Sequence, residues 1–209
     1  GDTAAGNIWD NFDGKNGATA TLSESGMSTN SFHYTLPTLM DGVAISASYS
    51  PNKGQDESDT AYAVVYTGVE GLTLSYGAGS SDGDAAGSGG TAANADTVSM
   101  KASYAIGSFT LAYSDHDHDS NTDTSDQTAS SWKVSYTVSD AVSVSYGTDS
   151  IDSAGTADTS DAEYTKIVAS HTSGGMTVSA NYQEATEMSY TTAANEDQEY
   201  YGLSLSFAF

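Results

Sequence analysis

Residues 131–147, SWKVSYTVSDAVSVSYG, decide the fold class of this chain. In the first half every second residue is apolar, from Trp132 to Val138, and in the second half the same holds from Val142 to Tyr146. The residues between them are Ser, Thr and one Lys, and the dipeptide SD separates the halves. Alternation with period two is typical of β-strands with one apolar and one polar face, and a two-residue polar break is typical of a hairpin turn. The stretch therefore predicts two antiparallel strands.

The same alternation recurs along the chain and predicts eleven strands. Short turns alternate with long connections that are rich in Gly, Ser and Asp. We place the long connections at 51–59, 78–96, 115–130, 148–162 and 184–198. This rhythm indicates an all-β, antiparallel, up-and-down sheet that forms a single domain over residues 31–209.

Composition excludes several classes of protein. The 209 residues include 28 Asp and Glu against five Lys and Arg, giving a net charge of -23, so a nucleic-acid partner is excluded because such binding needs cationic groups. No run of about 18 apolar residues predicts a transmembrane helix. There is no Cys for a disulfide scaffold. Low hydrophobicity with high net charge is also typical of disorder, but the strict alternation and the 14 Tyr argue against it.

Amphipathic strands fit either a soluble β-sandwich or a transmembrane β-barrel. The polar face carries almost only Ser, Thr, Ala and Gly, and most of the acidic residues fall in the connections, which favours the barrel. Tyrosine recurs at one end of five strands, as in the aromatic girdle of a membrane interface. These residues are Tyr49, Tyr76, Tyr113, Tyr146 and Tyr182. The alternative is a secreted or surface-attached acidic β-sheet protein that binds calcium or carbohydrate.

The chain ends in YYGLSLSFAF, which alternates up to the last residue. In this ending, and in FHYTLP (32–37) and DGVAISASYSP (41–51), the chain resembles the general diffusion porins of Gram-negative outer membranes. The resemblance implies a homotrimer of sixteen-stranded barrels in the outer membrane, surrounded by its lipid. It also implies that the last strand is an assembly signal, carried here by Gly202, Leu205, Phe207 and Phe209.

Eleven strands do not close a bacterial barrel, because such barrels have even numbers of strands. The resemblance implies sixteen strands with a long third loop folded into the pore before the sixth strand. Residues 1–30 lack a convincing strand and are rich in Gly, Asp and Asn, so we expect them to be this infolded constriction loop, with five strands missing before them. The alternative is a twelfth strand at 18–23, which would let the chain close alone.

Three lysines are predicted to form a basic pore wall. Lys101 and Lys133 share the small-polar face, and Lys166 joins them if Ile167 points outward. The resemblance implies that acidic residues of the infolded loop oppose such a wall. Here these are Asp2, Asp10, Asp13 and Glu24. The alternative is that the acids are merely solvated and the lysines only keep the lumen wet.

A second candidate site lies in DHDHDSNTDTSD, residues 115–126, where Asp115, Asp117 and Asp119 alternate. The spacing is similar to that of an EF-hand, but Ser120 stands where the glycine is required and no helices flank the loop. A loosely bound Ca²⁺ at these aspartates is the weak candidate, and a solvated acidic loop with incidental histidines is the alternative. We expect no other cofactor.

The expected function is a water-filled channel for small hydrophilic solutes and ions, with mild cation preference from the net charge of -23. An enzyme is not expected, because the chain has no phosphate-binding loop, no Cys and no HExxH motif.

Overall fold

The computed structural model describes residues 3–8, 31–51, 58–82, 94–121, 126–155, 160–188, 190 and 197–208. These residues contain one eleven-stranded antiparallel sheet in which each strand pairs with its neighbours along the chain. The strands are β1 (Phe32–Thr35), β2 (Val43–Pro51), β3 (Ser58–Tyr66), β4 (Leu72–Asp82), β5 (Ala95–Ile106), β6 (Phe109–Ser120), β7 (Gln127–Ser139), β8 (Val142–Ser153), β9 (Ala162–Ser173), β10 (Met176–Thr186) and β11 (Gln198–Phe207). The predicted number and order of strands are confirmed. The alternative twelfth strand at 18–23 lies outside the described residues.

The short turns form where the sequence supplies glycine or a polar pair. Gly107, between β5 and β6, has φ 57°, and Gly174 and Gly175, between β9 and β10, have φ 57° and 81°. A residue with a Cβ rarely adopts this backbone conformation, which explains why glycine stands in these tight hairpins.

The predicted boundaries of the long connections were wrong, because the strands extend further into them. The clearest case is the predicted connection 115–130, where β6 continues to Ser120 and β7 begins at Gln127. Asp has low strand propensity in isolation, but register pairing with the neighbouring strand overrides it. The predicted loop therefore becomes a two-stranded extension of the sheet.

The two faces of the sheet have the opposite burial from a soluble β-protein. Large apolar side chains lie on one face and are exposed, among them Leu203 (79 % exposed) and Phe32 (72 %). The small-polar face carries buried side chains such as Ser131 and Gln183. A β-sandwich would bury its apolar face. Within the described residues, no helix is long and apolar enough to cross a membrane.

The predicted girdle tyrosines lie on the exposed apolar face. Tyr113 is 51 % exposed and Tyr49 46 %. Aromatic neighbours contact each other across strands: the ring centroids of Trp132 and Tyr146 lie 5.0 Å apart, as do those of Tyr182 and its pairing partner Tyr201. Amphipathic rings grouped in this way suit a membrane interface.

Candidate functional site

Residues 3–8, called here the N-terminal strap, lie against the small-polar face of the sheet. The strap turns tightly on itself: Thr3 N donates to Asn7 Oδ1 at 2.7 Å, and Asn7 N donates to Thr3 Oγ1 at 2.7 Å. Gly6 (φ 91°) and Asn7 (φ 52°) adopt the left-handed conformation that these two residue types tolerate best. The sequence TAAGN is therefore locally suited to this compact turn.

Two serines of neighbouring strands hold the strap. Ala4 N donates to Ser114 Oγ of β6 at 2.8 Å, and Ala5 N donates to Ser131 Oγ of β7 at 2.9 Å. Ser114 and Ser131 are direct partners in the register of the two strands, so their hydroxyls lie side by side. Small hydroxyl side chains allow the strap backbone to approach the sheet closely.

A buried carboxylate holds the other end of the strap. Ile8 N donates to Asp149 Oδ2 of β8 at 2.6 Å, and Asp149 is 1 % exposed. The Ile8 side chain is also buried, in an apolar cluster on this face. The cluster consists of Ile8, Ala129, Ile151, Ala162, Tyr164, Ala185 and Met188.

Gly147 of β8 lies directly against Ala5 of the strap. A Cβ added at Gly147 would lie 2.9 Å from Ala5 Cβ and 3.3 Å from the carbonyl oxygen of Trp132. Glycine therefore leaves the space that Ala5 fills.

The three predicted pore-wall lysines all lie on the small-polar face. Lys133 and Lys166 flank Gly147 in one cross-strand row, because Lys133 pairs with Gly147 and Gly147 pairs with Lys166. Lys101 lies in the neighbouring row, paired with Ser114, and its Nζ donates to Thr3 O at 3.0 Å. The register thus places Lys133 and Lys166 two strands apart in one row, and Lys101 is hydrogen-bonded to the strap. The predicted opposing acids Asp2, Asp10, Asp13 and Glu24 lie outside the described residues.

The calcium candidates Asp115, Asp117 and Asp119 lie on β6, two residues apart on the face opposite the strap. Strand geometry separates successive side chains on one face by about 6.8 Å, whereas calcium ligands lie about 2.3–2.6 Å from the ion. Among the residues that the structure describes, no three His, Cys, Asp or Glu side chains are grouped to hold a metal ion. The calcium site stays a prediction.

One acidic group at the end with long connections has a perturbed pKa. Asp161 lies exposed just before β9, and partial desolvation of its carboxyl, together with the carboxylates of Asp152 and Glu187, raises the pKa of that carboxyl above the ordinary value. Acidic groups at this end therefore repel one another at neutral pH.

The predicted assembly signal lies on β11 except for Phe209, which is outside the described residues. Leu205 (55 % exposed) and Phe207 (54 %) lie on the apolar face. Gly202 pairs with Asn181 of β10 on the small-polar face, and a Cβ at this position would overlap the Asn181 side chain.

Sequence reasoning missed the residues that hold the strap. Neither Ser114 nor Ser131 is singled out by the sequence pattern, and Asp149 falls in the predicted long connection 148–162. His116 was treated as incidental, although its continued alternation on β6 puts it on the same face as Ser114. The available signal is the alternation itself, which continues past Tyr113 to Ser120.

The comparisons with known proteins agree with this architecture. A family model for Gram-negative porins matches residues 1–172. No curated protein matches the chain. In-vitro folded OmpT, an outer membrane protein of Vibrio cholerae, is 15 % identical over 85 % of this chain, with a TM-score of 0.60. The anion-selective porin from Comamonas acidovorans is 18 % identical over 86 % of this chain, with a TM-score of 0.66.

The chain is shorter than these proteins. It spans 63 % of the length of in-vitro folded OmpT and 59 % of that of the Comamonas acidovorans porin. A trimer form of OmpT is also similar, at 15 % identity over 92 % of this chain and 73 % of that one, with a TM-score of 0.58. Eleven up-and-down strands, the exposed apolar face and the matched family model lead to one conclusion. The chain belongs to the Gram-negative porin family and is an outer-membrane β-barrel protein.

Proposed function

We propose that this chain forms most of the wall of a water-filled channel through which small hydrophilic solutes and ions diffuse passively, without enzymatic activity. The inverted burial of the sheet carries the proposal: exposed apolar side chains suit lipid, and small hydroxyl side chains suit a wet lumen. The strap lies on the small-polar face and so would lie inside the lumen.

The strap supports the proposal that residues 1–30 form an infolded constriction loop. Four hydrogen bonds hold the strap backbone against the wall. Lys101 donates one of them to the strap, and Ser114, Ser131 and Asp149 accept the other three from strap N–H groups. Lys101, Lys133 and Lys166 would then form the basic wall beside the constriction, opposed by the acids Asp2, Asp10, Asp13 and Glu24 of the loop.

We further propose that the channel prefers cations mildly. The net charge of -23 arises from 28 acidic residues, many of them in the long connections that would surround the outer mouth. Such a mouth concentrates cations within a Debye length of about 8 Å at physiological ionic strength.

The complete protein is proposed to be a homotrimer of sixteen-stranded barrels surrounded by outer-membrane lipid. In the described sheet β1 pairs only with β2 and β11 only with β10, so each has an edge that further strands could pair with. An unpaired strand edge is not tolerated in lipid. The strand β11 would carry the assembly signal.

Reconstitution of the full-length protein into planar bilayers tests the function. We expect stepwise ion conductance in KCl, and a reversal potential in a salt gradient that indicates cation preference. Replacing both Lys133 and Lys166 with Glu should shift the reversal potential further toward cations, and the Gln double variant should shift it about half as far. Absence of conductance would refute the channel, and unchanged reversal potentials would refute the basic wall.

A further inference from the structure

A hollow of about 400 Å³ opens on the apolar face of the sheet, across strands β3 to β6. The side chains around it stand on the apolar side of the alternation in their strands. They include Leu74, Tyr76, Met100, Ala102 and Tyr113. A hollow of this size is large enough to hold part of a small apolar molecule.

The short side chain of Ala102 on β5 explains the hollow. In the sheet register Ala102 lies between Leu74 of β4 and Tyr113 of β6, and Met100 precedes it on the same face. Each of these three neighbours extends well beyond a methyl group and is at least 41 % exposed. The methyl group of Ala102 therefore forms the floor, and the larger side chains form the walls.

The position of the hollow indicates what fills it. It opens on the face that an outer-membrane β-barrel turns toward lipid. An unfilled void is unfavourable, because its lining atoms lose their contact partners. The mobile apolar groups at this surface are the acyl chains of lipids. An acyl chain is surrounded by apolar groups in bulk lipid as well, so any preference for one lipid must come from polar groups at the border of the hollow.

A carboxylate borders the hollow on the side of the long connections. Asp115 of β6 lies on the apolar face, two residues after Tyr113, and pairs directly with Met100 of β5. Both of these neighbours line the hollow. The Tyr113 hydroxyl donates a hydrogen bond to Asp115 Oδ2 at 3.2 Å. An ionised carboxylate can accept several hydrogen bonds, so Asp115 can also accept one from a lipid headgroup.

The same combination of tyrosine and acid occurs on β11, where the Tyr201 hydroxyl donates to Glu199 Oε2 at 3.3 Å. Tyrosine is typical of membrane interfaces, which places both acids at the level of the lipid headgroups. The lysines that the structure describes, Lys101, Lys133 and Lys166, lie on the opposite face. Charge complementarity at the hollow therefore favours a headgroup with a positive charge.

We propose that this hollow is a docking site for one acyl chain of a lipid with an ammonium headgroup, and that Asp115 binds the ammonium. Ala102 provides the space for the chain, and Asp115 selects the headgroup. The site lies on the lipid-facing wall of the barrel, so it does not depend on the proposed channel.

Native mass spectrometry of the full-length protein tests the headgroup. The protein is extracted from vesicles of equal amounts of phosphatidylethanolamine and phosphatidylglycerol with identical acyl chains. EDTA is present, so that no divalent cation can link an anionic headgroup to an acid. We expect the wild type to retain phosphatidylethanolamine about two- to five-fold over phosphatidylglycerol, the preference that one partly exposed ion pair gives. Asp115→Asn should abolish this preference. Glu199→Gln is the matched control: it removes an acid with the same tyrosine contact away from the hollow, so the preference should persist.

Ala102→Phe tests the acyl chain in the same measurement. The phenyl ring would fill the hollow, so retention of phosphatidylethanolamine should fall to that of phosphatidylglycerol. Ala180→Phe on β10 is the matched control, because Ala180 lies on the same apolar face but does not line the hollow. It should retain as much phosphatidylethanolamine as the wild type.

Three outcomes would overturn the site: equal retention of both lipids by the wild type, an unchanged preference in Asp115→Asn, or equal losses in Ala102→Phe and Ala180→Phe. If Ala102→Phe fails to fold, the comparison of Asp115→Asn with Glu199→Gln still decides. Conductance in KCl reports the channel separately, so a conducting protein without a lipid preference refutes the site alone.

Discussion

Replacing Gly147 with Val should displace the strap from the sheet. The new Cβ would lie 2.9 Å from Ala5 Cβ, whereas ordinary contacts of this kind are 3.4–4 Å, so Ala5 must move by about 0.5 Å or more. The two γ methyl groups of Val then enlarge the displacement. Val itself favours strands, so β8 should persist.

The magnitude follows from the cost of overpacking, about 1–3 kcal/mol. If the strap detaches, the hydrogen bonds of Ala4, Ala5 and Ile8 to the sheet are lost together. The overpacking energy therefore changes the free energy of a single equilibrium between docked and detached strap. A shift of about 1–3 kcal/mol lowers the ratio of docked to detached strap about 5- to 150-fold.

Amide hydrogen exchange of Ala4, Ala5 and Ile8, measured by NMR in micelles, reports this ratio directly. Gly77→Val is the matched control. Gly77 lies on β4, on the same small-polar face of the sheet as Gly147, and a Cβ there would meet only Tyr62 O, at 3.7 Å. We expect faster exchange in Gly147→Val alone. Unchanged exchange in Gly147→Val, or equal acceleration in both variants, would refute the docking of the strap at Gly147.

Other predictions follow from the same structure. Asp149→Ala leaves Ile8 N–H without its acceptor at a cost of about 1–3 kcal/mol, and exchange at Ile8 should rise; an unchanged rate would count against this anchor. Because folding raises the pKa of Asp161, the contribution of this carboxyl to the stability of the folded protein is fully present below the ordinary pKa of 3.8. That contribution is lost as the pH rises through the pKa of Asp161 in the folded protein. Asp161→Asn should therefore raise Tm by about 1–2 °C at pH 7 and leave it unchanged below pH 3.8, and an equal difference at both pH values would contradict the cause given. Leu111→Lys on the apolar face should destabilise the barrel by about 2–4 kcal/mol in lipid, whereas Thr110→Lys on the opposite face should not; equal losses in the yield of folded protein would be inconsistent with a lipid-facing Leu111. Calcium calorimetry on the full-length protein tests the three aspartates of β6: saturable binding would support the weak calcium candidate, and no saturable binding would remove it.

Periodicity alone was sufficient to predict the strands and their order. The alternation from Phe109 to Tyr113 predicts a strand without any knowledge of its pairing partner. The short turns then predict that strands next to each other in the chain pair, as β5 and β6 do. The extension of β6 to Ser120 was not predictable in this way, because pairing with β5 and β7 stabilises residues whose own propensity is low.

The strap was not predictable from periodicity. Residues 3–8 have no alternation, and their hydrogen bonds join residues 110, 126 and 141 positions apart in the chain. Only the assembled sheet brings Ser114, Ser131 and Asp149 to one side. The face of each lysine was predictable, because parity along a strand decides it.

The contact of Lys101 with the strap shows the same division. The face of Lys101 follows from its neighbours Ser99 and Ser103, but its contact with Thr3 depends on the strap. His116 lies on the small-polar face because β6 continues into the predicted connection 115–130.

The central claim is that the apolar face of this sheet contacts lipid and the small-polar face lines water. Because the chain has no Cys, single substitutions Leu111→Cys and Ala112→Cys can be labelled in native outer membranes with a charged, water-soluble thiol reagent. The neighbours lie on opposite faces of β6, at nearly the same height. We predict rapid labelling at position 112 and protection at position 111. Labelling at 111 with protection at 112 would contradict the claim.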